Sequence, residues 1–461
     1  MKILLISPNI ETLPDPVFPL GLAYLAAAVK KNGMQYRMLD LCFAADCESA
    51  VVAEINDYHP DCIGLSLRNL DNVSYPGYFS YLSFYRRIVA VIRCATDRPI
   101  IVGGSAFTLM PKRILDFLQA DYGVAGEGEH ALIDLMRRLD PDRPGAPPPP
   151  GTVLGDSHAD LIKNLDDLPY PDRSGLDSRA YLRFGGMGNI QTKRGCPFHC
   201  IYCTYPLIEG RRIRLRSPKK ICNEIEIMKN EGIRDLFVVD NEFNFPVEHA
   251  QFVCHEMRRR DLNIRWSAYA NPRYMTPKLA EAMGGAGCTG IEFGSDAADA
   301  AMLVNMGKNF SVSDLVDASK VLRRTGISFC HSLLLGGPGE TMDSVRRTFD
   351  TVLALEPTAV ICMIGIRIFP RTALYRLALG EGRIDPADDL LRPAFYLSSA
   401  VEDHILPFIE NFSREHPTWI FPGMNININR RLQEKIRRLG VKGPLWEYMQ
   451  RGRRFKRSPD S

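Results

Sequence analysis

"RGCPFHCIYC" occupies residues 194–203 and places Cys196, Cys200 and Cys203 within one short loop. A disulfide pairs two sulfurs and strands the third, whereas a metal site can use all three. The spacing is C-x3-C-x2-C, on a loop that follows a predicted strand. Zinc sites in general take four protein ligands in paired two-residue spacings, and here a fourth ligand is missing locally, although His199 is close. A cubane iron–sulfur cluster held by three thiolates leaves one iron open to a small molecule. That is a chemical reason for three ligands and no more.

Working outward from the loop, β-rich runs alternate with helical stretches. After it come "DLFVVD" (235–240), "IRWSAY" (264–269), "TGIEFG" (289–294), "ISFCHSLLL" (327–335) and "AVICMIGI" (359–366), and "GNIQTK" (188–193) precedes it. Six such β/α units predict a partial (β/α)6 barrel whose chemistry gathers at the strand carboxyl ends. Before the barrel the same alternation predicts a doubly wound parallel sheet of Rossmann type. Its strands are "KILLIS" (2–7), "YRMLDL" (36–41), "CIGLSL" (62–67), "PIIVGG" (99–104) and "DYGVAG" (121–126). The interposed "LGLAYLAAAVKKNG" (20–33), "YLSFYRRIVAVIRCAT" (81–96) and "PKRILDFLQA" (111–120) carry helical periodicity. The proline-rich "PGAPPPPG" (144–151) reads as a stiff exposed spacer. The chain thus divides into 1–143, a linker over 144–184, a barrel core over 185–390, and a helical C-terminal extension over 391–461.

Composition sets the class. The chain has 461 residues, 45% hydrophobic and 24% charged, with a net charge of +3. That excludes a disordered chain and offers no general case for nucleic acid. "MKILLISPN" is too short an apolar run for a signal peptide, and nothing approaches the ~20 apolar residues of a membrane span. A cytoplasmic protein with reduced cysteines is the expectation.

With Arg-Gly before it, an aromatic (Tyr202) before the last cysteine and a β/α barrel after it, the motif resembles the signature of radical S-adenosylmethionine (SAM) enzymes. The resemblance covers about residues 185–375. It implies a [4Fe-4S] cluster on Cys196, Cys200 and Cys203, with S-adenosyl-L-methionine on the open iron and an external one-electron donor such as flavodoxin or ferredoxin. Asp240 or Glu242, in "VVDNEFNF", would complement the SAM ammonium, where the family often carries Gly-Gly-Glu or Asp-Asp. "GIEFGSD" contributes Glu292, Ser295 and Asp296, and "LLLGGPGET" contributes Gly336 and Gly337 for close approach of an adenosyl group. "FPRTALY" (369–375) matches a loop in which glycine commonly stands at the position of Arg371.

The order of doubly wound sheet and barrel resembles the cobalamin (B12)-binding class of radical SAM enzymes. The residues that carry this are "SPN" (7–9), "SLRN" (66–69), "VGGSAF" (102–107) and "GEGE" (126–129). They make Ser66, Gly103, Gly104, Ser105, Gly126 and Glu127 the cobalamin-binding expectation. One departure stands out. Many such domains carry Asp-x-His-x-x-Gly in the first β/α loop, but "SPNIETLPDPVFP" has no histidine, and His59 is the first in the chain.

The resemblance implies methylation of an unactivated carbon, on a small-molecule, lipid, acyl or secondary-metabolite substrate. The alternatives are radical cyclisation, rearrangement or other C–H activation over a scaffold domain, and a non-catalytic Fe–S sensor. Methylthiolation ranks lower, since it usually wants a second cluster. The basic "GRRIRLRSPKK" (210–220) reads either as a solvated face or as a contact for an anionic group. The aromatic "FIENFSREHPTWIFPG" (408–423) reads as a cap over the barrel mouth or as packed core, and "RGRRFKR" (451–457) as an exposed basic tail.

Overall fold

The computed structural model describes residues 1–12, 14–142, 146–155 and 161–449. The predicted basic tail lies outside the described residues.

The first strand explains the first layer. In β1 (Lys2–Ser7), Leu4 and Ile6 enter one apolar cluster while Ile3 and Leu5 enter another. Alternate residues therefore feed opposite cores, as a strand buried on both faces requires. Around it assemble β2 (Gln35–Asp40), β3 (Cys62–Ser66), β4 (Ile100–Gly103), β5 (Tyr122–Val124) and β6 (Thr152–Leu154). The order is β2-β1-β3-β4-β5-β6, all parallel. The order in which strands are added reverses between β1 and β3, and a cleft opens there at the carboxyl ends.

β6 falls inside the segment read as linker. It pairs Tyr122 with Thr152 and Val124 with Leu154, and a three-residue edge strand is too short to show an alternation pattern. The rest of that segment straps onto the first sheet as well. Tyr181, on the helix Ser178–Phe184, donates to Asp40 at 2.6 Å, and Leu176 and Tyr181 join its core.

The barrel begins with β7 (Gly188–Ile190). A short antiparallel pair, β8 (Lys193–Arg194) and β9 (Arg214–Leu215), then brackets the cysteine loop. There follow β10 (Asp235–Val238), β11 (Arg265–Ala270), β12 (Cys288–Asp296), β13 (Ser328–Leu335) and β14 (Ala359–Ile364), parallel neighbours in chain order. Several β/α units have local start and stop signals. The helix Val312–Thr325, for example, opens on a Ser311/Asp314 capping box and closes on Gly326 at φ 73°.

The extension is not purely helical. β15 (Ile366–Arg367) pairs with β16 (Phe395–Tyr396), and β17 (Trp419–Ile420) adds a seventh parallel strand beside β14. Trp419 packs with Phe349 and Phe412, ring centroids 4.6 and 4.8 Å away, so the aromatic 408–423 stretch is packed core, not a cap. Farther on, Trp446 packs on Cys330 and Ala359, and Ser267 donates to Glu447 at 2.7 Å. This plugs the barrel at the amino ends of its strands. Among the described residues no helix is long and apolar enough to cross a membrane.

A buried ionic clamp joins the two sheets. Glu127 and Glu129, just past β5, meet Arg194 of β8 at 3.0 and 2.7 Å, and Glu127 also meets Arg214 of β9 at 2.7 Å. Glu127 further accepts from the Ile162 N–H at 2.6 Å. Behind them Glu224 holds Arg173 and Arg216 at 3.0 and 2.6 Å. The stretch "GRRIRLRSPKK" divides: Arg211, Arg212 and Lys219 are exposed, whereas Arg214 and Arg216 are buried structural cations. Burial works against charge on Glu127, yet Arg194, Arg214 and the Ile162 N–H hold its carboxyl below the ordinary value. That part of the stability is complete at neutral pH and fades as pH falls through the folded value, below 4.5. Glu127→Gln removes one partner of a buried pair and should cost about 3–5 kcal/mol, read as a lower urea midpoint with an unchanged m-value.

Candidate functional site

The cysteine loop is fixed from three sides. The Cys196 N–H donates to Gly210 O at 3.1 Å, the Ile201 N–H to Met306 O at 3.1 Å, and the Leu374 N–H to Ile201 O at 2.8 Å. The last of these explains "FPRTALY". Arg371 adopts φ 67°, the left-handed region in which glycine is the easier residue, and its guanidinium reaches Thr108 O of the first unit at 2.8 Å. The loop therefore braces the cysteines and ties the two units together.

The three thiols act on one another electrostatically, and each has its own nearby donor: the Phe198 N–H at Cys196, the Lys308 ammonium at Cys200, and the Tyr205 N–H at Cys203. Such donors suit thiolate sulfur. Burial holds Cys196 and Cys203 up to about 12, so ligation requires a metal to displace their protons. Among the described residues no three His, Cys, Asp or Glu side chains converge on a single-ion site. A cube of iron and sulfide asks for ligands spread more widely than that. The donor set and its spacing fit a cluster.

The two acids after β10 have separate roles. Asp240 is buried, accepts from the Thr192 N–H at 2.6 Å and from the Thr192 hydroxyl, and faces Lys193 at 3.4 Å. Its carboxylate is engaged in holding β8 to the sheet. Glu242 is the opposite case. Its Oε1 accepts from Asn271 at 3.1 Å, and its Oε2 is buried with no hydrogen-bond partner among the described residues. Burial pushes its carboxyl up to about 7 despite the pull of Lys308. It feels both Cys196 and Cys200, so it stands beside the loop.

Other expected SAM residues go elsewhere. Ser295 is fully buried on the outer face of β12, bonded at 2.7 Å to His331, whose imidazole burial holds down to about 3. Asp296 instead faces the loop, accepting from Tyr202 at 2.5 Å and pairing with Lys308 at 2.8 Å. Gly336 has φ 92°, and a Cβ there would lie 2.1 Å from Leu397; one at Gly337 would lie 2.8 Å from Met306. Their small size serves packing of the extension and of the helix Ala300–Asn305. Both N–H groups donate to Glu340. Glu292 points into the barrel, where it accepts from Ser332 at 2.5 Å and raises the phenol of Tyr269 on the neighbouring strand. Sequence reading passed over Lys308 and Asn271. The one signal for Lys308 is the preceding Gly307, at φ 69°, where a Cβ would strike His199 O at 2.5 Å.

The expected cobalamin residues do come together. Ser66, Gly103, Gly104, Ser105, Gly126 and Glu127 all line one cavity of about 450 Å³ at the carboxyl ends of the first sheet. Its far wall comes from the barrel: Asn189, Gln191, Phe237 and Tyr269. Gly104, at φ 100°, lies so close to the neighbouring chain that a Cβ there would be 2.4 Å from Leu67 O, and Ser105 donates to Arg68 O at 2.9 Å. Glu127 is the exception in role, since its carboxylate is spent on the clamp. Two features suit a bulky amide-bearing ligand such as a corrinoid. The buried Asn9 Nδ2, on this wall, has no hydrogen-bond partner among the described residues, and a Cβ at Gly21 would meet nothing within 4 Å and so would project into the space. Among the described residues no histidine lines the cavity; Arg68 does.

Comparisons with known proteins agree with this geometry. The B12 binding domain family matches residues 6–136, and the Radical SAM superfamily matches residues 190–352. The chain belongs to the radical SAM enzymes that carry a B12-binding domain. It is 27% identical to a tryptophan 2-C-methyltransferase of Streptomyces laurentii, over 80% of this chain and 73% of that one. It is 28% identical to an uncharacterized methyltransferase of Pyrococcus horikoshii, over 83% and 84%. Its fold matches that of a radical SAM methyltransferase from Kitasatospora setae, solved with cobalamin and a [4Fe-4S] cluster bound, with a TM-score of 0.86, 24% identity and 98% of each chain covered.

Replacing Cys196, Cys200 or Cys203 singly by alanine should abolish iron and sulfide incorporation on anaerobic reconstitution. Cys222→Ala or Cys254→Ala, at buried positions in the barrel's helical layer, should leave it intact.

Proposed function

We propose that the chain is a cobalamin-dependent radical SAM methyltransferase that methylates carbon on a small molecule held inside the barrel. One observation carries this: the cysteine loop, with the unpartnered buried oxygen Glu242 Oε2 beside it, is flanked by Arg194, Tyr205 and Glu209, which line the cavity walled by both units. The names of the relatives, one a tryptophan C-methyltransferase, support methyl transfer to carbon.

In this reading Cys196, Cys200 and Cys203 ligate the [4Fe-4S] cluster, and Glu242 accepts the SAM ammonium. Lys308 and Asp296 position Tyr202 and Cys200. The first-sheet cleft holds cobalamin, with glycines 103, 104 and 126 keeping the wall low and Asn9 donating to a ligand carbonyl. When bound, these cofactors supply methyl transfer and hydrogen-atom abstraction. The protein contributes orientation and a closed interior: the Trp446–Glu447 plug shuts one end of the barrel, and the first sheet covers the other. The substrate lies between them, against Tyr269 and Glu292, which favours a substrate with a polar group over bare hydrocarbon. An external one-electron donor keeps the centres reduced, and a cytoplasmic setting suits the free thiols.

Anaerobically reconstituted protein given reductant, cobalamin and SAM should form S-adenosylhomocysteine in proportion to bound cobalamin. No S-adenosylhomocysteine above a cobalamin-free control would contradict the proposal. Glu242→Gln should weaken SAM binding by about tenfold or more, the size of a lost charge-assisted hydrogen bond, with iron content unchanged. Asp240→Asn should instead lower thermal stability. Calorimetric titration of SAM into cluster-loaded protein, beside a melting curve, separates the two.

A further inference from the structure

A second cavity, of about 210 Å³, lies against the cysteine loop and is distinct from the cobalamin cleft. Cys200 and Cys203 form part of its wall, and its charged lining is cationic only: Arg211, Arg371 and Arg376, with His199 beside them. All four side chains belong to exposed residues, so this is where the loop comes closest to solvent. Among the described residues no Asp or Glu lines it, and neither Arg211 nor Arg376 has a carboxylate partner there. Arg211 is held in place by Phe198 O at 3.3 Å and His199 Nδ1 at 3.1 Å, and Arg371 by Thr108 O. The chain's net charge of only +3 makes this concentration local.

We propose that this face is the electron-entry port, on which an acidic one-electron carrier protein docks. The inference rests on the cluster assignment above. Electrons must reach the cluster from outside, while its inner side is given over to SAM and substrate. The thin wall at Cys200 and Cys203 is the short route, and the fixed guanidiniums supply the complementary charge that steers and orients an anionic partner. With a flavodoxin as carrier, the flavin hydroquinone anion gives up one electron and becomes the neutral semiquinone. The cluster's formal charge falls by one, and no bond breaks and no proton moves.

The test compares the parent with Arg211→Glu/Arg376→Glu, and with Arg431→Glu/Arg438→Glu on the exposed helix Arg430–Arg438 as an equal charge change elsewhere. Iron content is measured first and should be equal in all three. Cluster bleaching by flavodoxin hydroquinone in stopped flow should slow roughly tenfold or more in the first variant at low salt, within the range for electrostatic steering. The loss should shrink at high salt, where charges are screened. Reduction by titanium(III) citrate should be unaffected, the helix variant should behave as the parent, and Arg211→Lys/Arg376→Lys should restore the rate. An unchanged flavodoxin rate, or equal slowing with both reductants or in both charge-reversal variants, would overturn the port. Calorimetry of oxidised flavodoxin with cluster-free protein gives a separate arm. Weaker binding by the first variant alone supports the port even if the chain takes up no iron, in which case the cluster assignment fails by itself.

Discussion

The clamp of Glu127 and Glu129 against Arg194 and Arg214 sets the relation on which the site depends. Buried ion pairs return little net stability, because desolvation offsets most of the attraction. What they impose is geometry, since a buried carboxylate tolerates only the arrangement that brings its partners to it. Here that arrangement faces the carboxyl ends of two parallel sheets toward each other. Arg194 is the pivot. It sits two residues before Cys196, so the contact that joins the sheets also sets the start of the cysteine loop. Arg371 repeats the device on the other side, tying the first unit to a loop that hydrogen-bonds Ile201.

Two enclosed regions follow from this opposition. The cleft at the β1/β3 reversal is walled by glycines on one side and by inward-facing barrel residues on the other. The barrel interior is shut below by the Trp446–Glu447 plug and bounded above by the cysteine loop. Between them, period-two alternation on β11, β12 and β13 points Tyr269, Glu292 and Ser332 inward and sends Phe293, Ser295 and His331 into the outer core. One residue of register thus decides that Glu292 faces the barrel interior and Ser295 does not.

Much of this was legible in the sequence, because the strong signals are local. Continuous apolar runs marked β1, β3 and β13, and the three-cysteine spacing needs no tertiary context. Residues that depend on distant partners were harder to read. Asp240 and Glu242 are two positions apart with equal chemistry, and only the fold shows that Thr192 and Lys193 claim the first. Glu127 looked like a cofactor contact because the arginines that hold it lie far along the chain. Gly336 and Gly337 looked like room for a ligand, yet that room is filled by Leu397 and Met306. β6 and β17, of three and two residues, are too short to carry periodicity and form only because a neighbouring edge is available.

The central proposal is that the cleft between the two units holds a corrinoid. Electron paramagnetic resonance of the protein loaded with cob(II)alamin tests it most directly. A cobalt signal that stays with the protein through desalting and differs from that of free cob(II)alamin is the expected result. A spectrum identical to free cob(II)alamin, or cobalt lost on desalting, would contradict it.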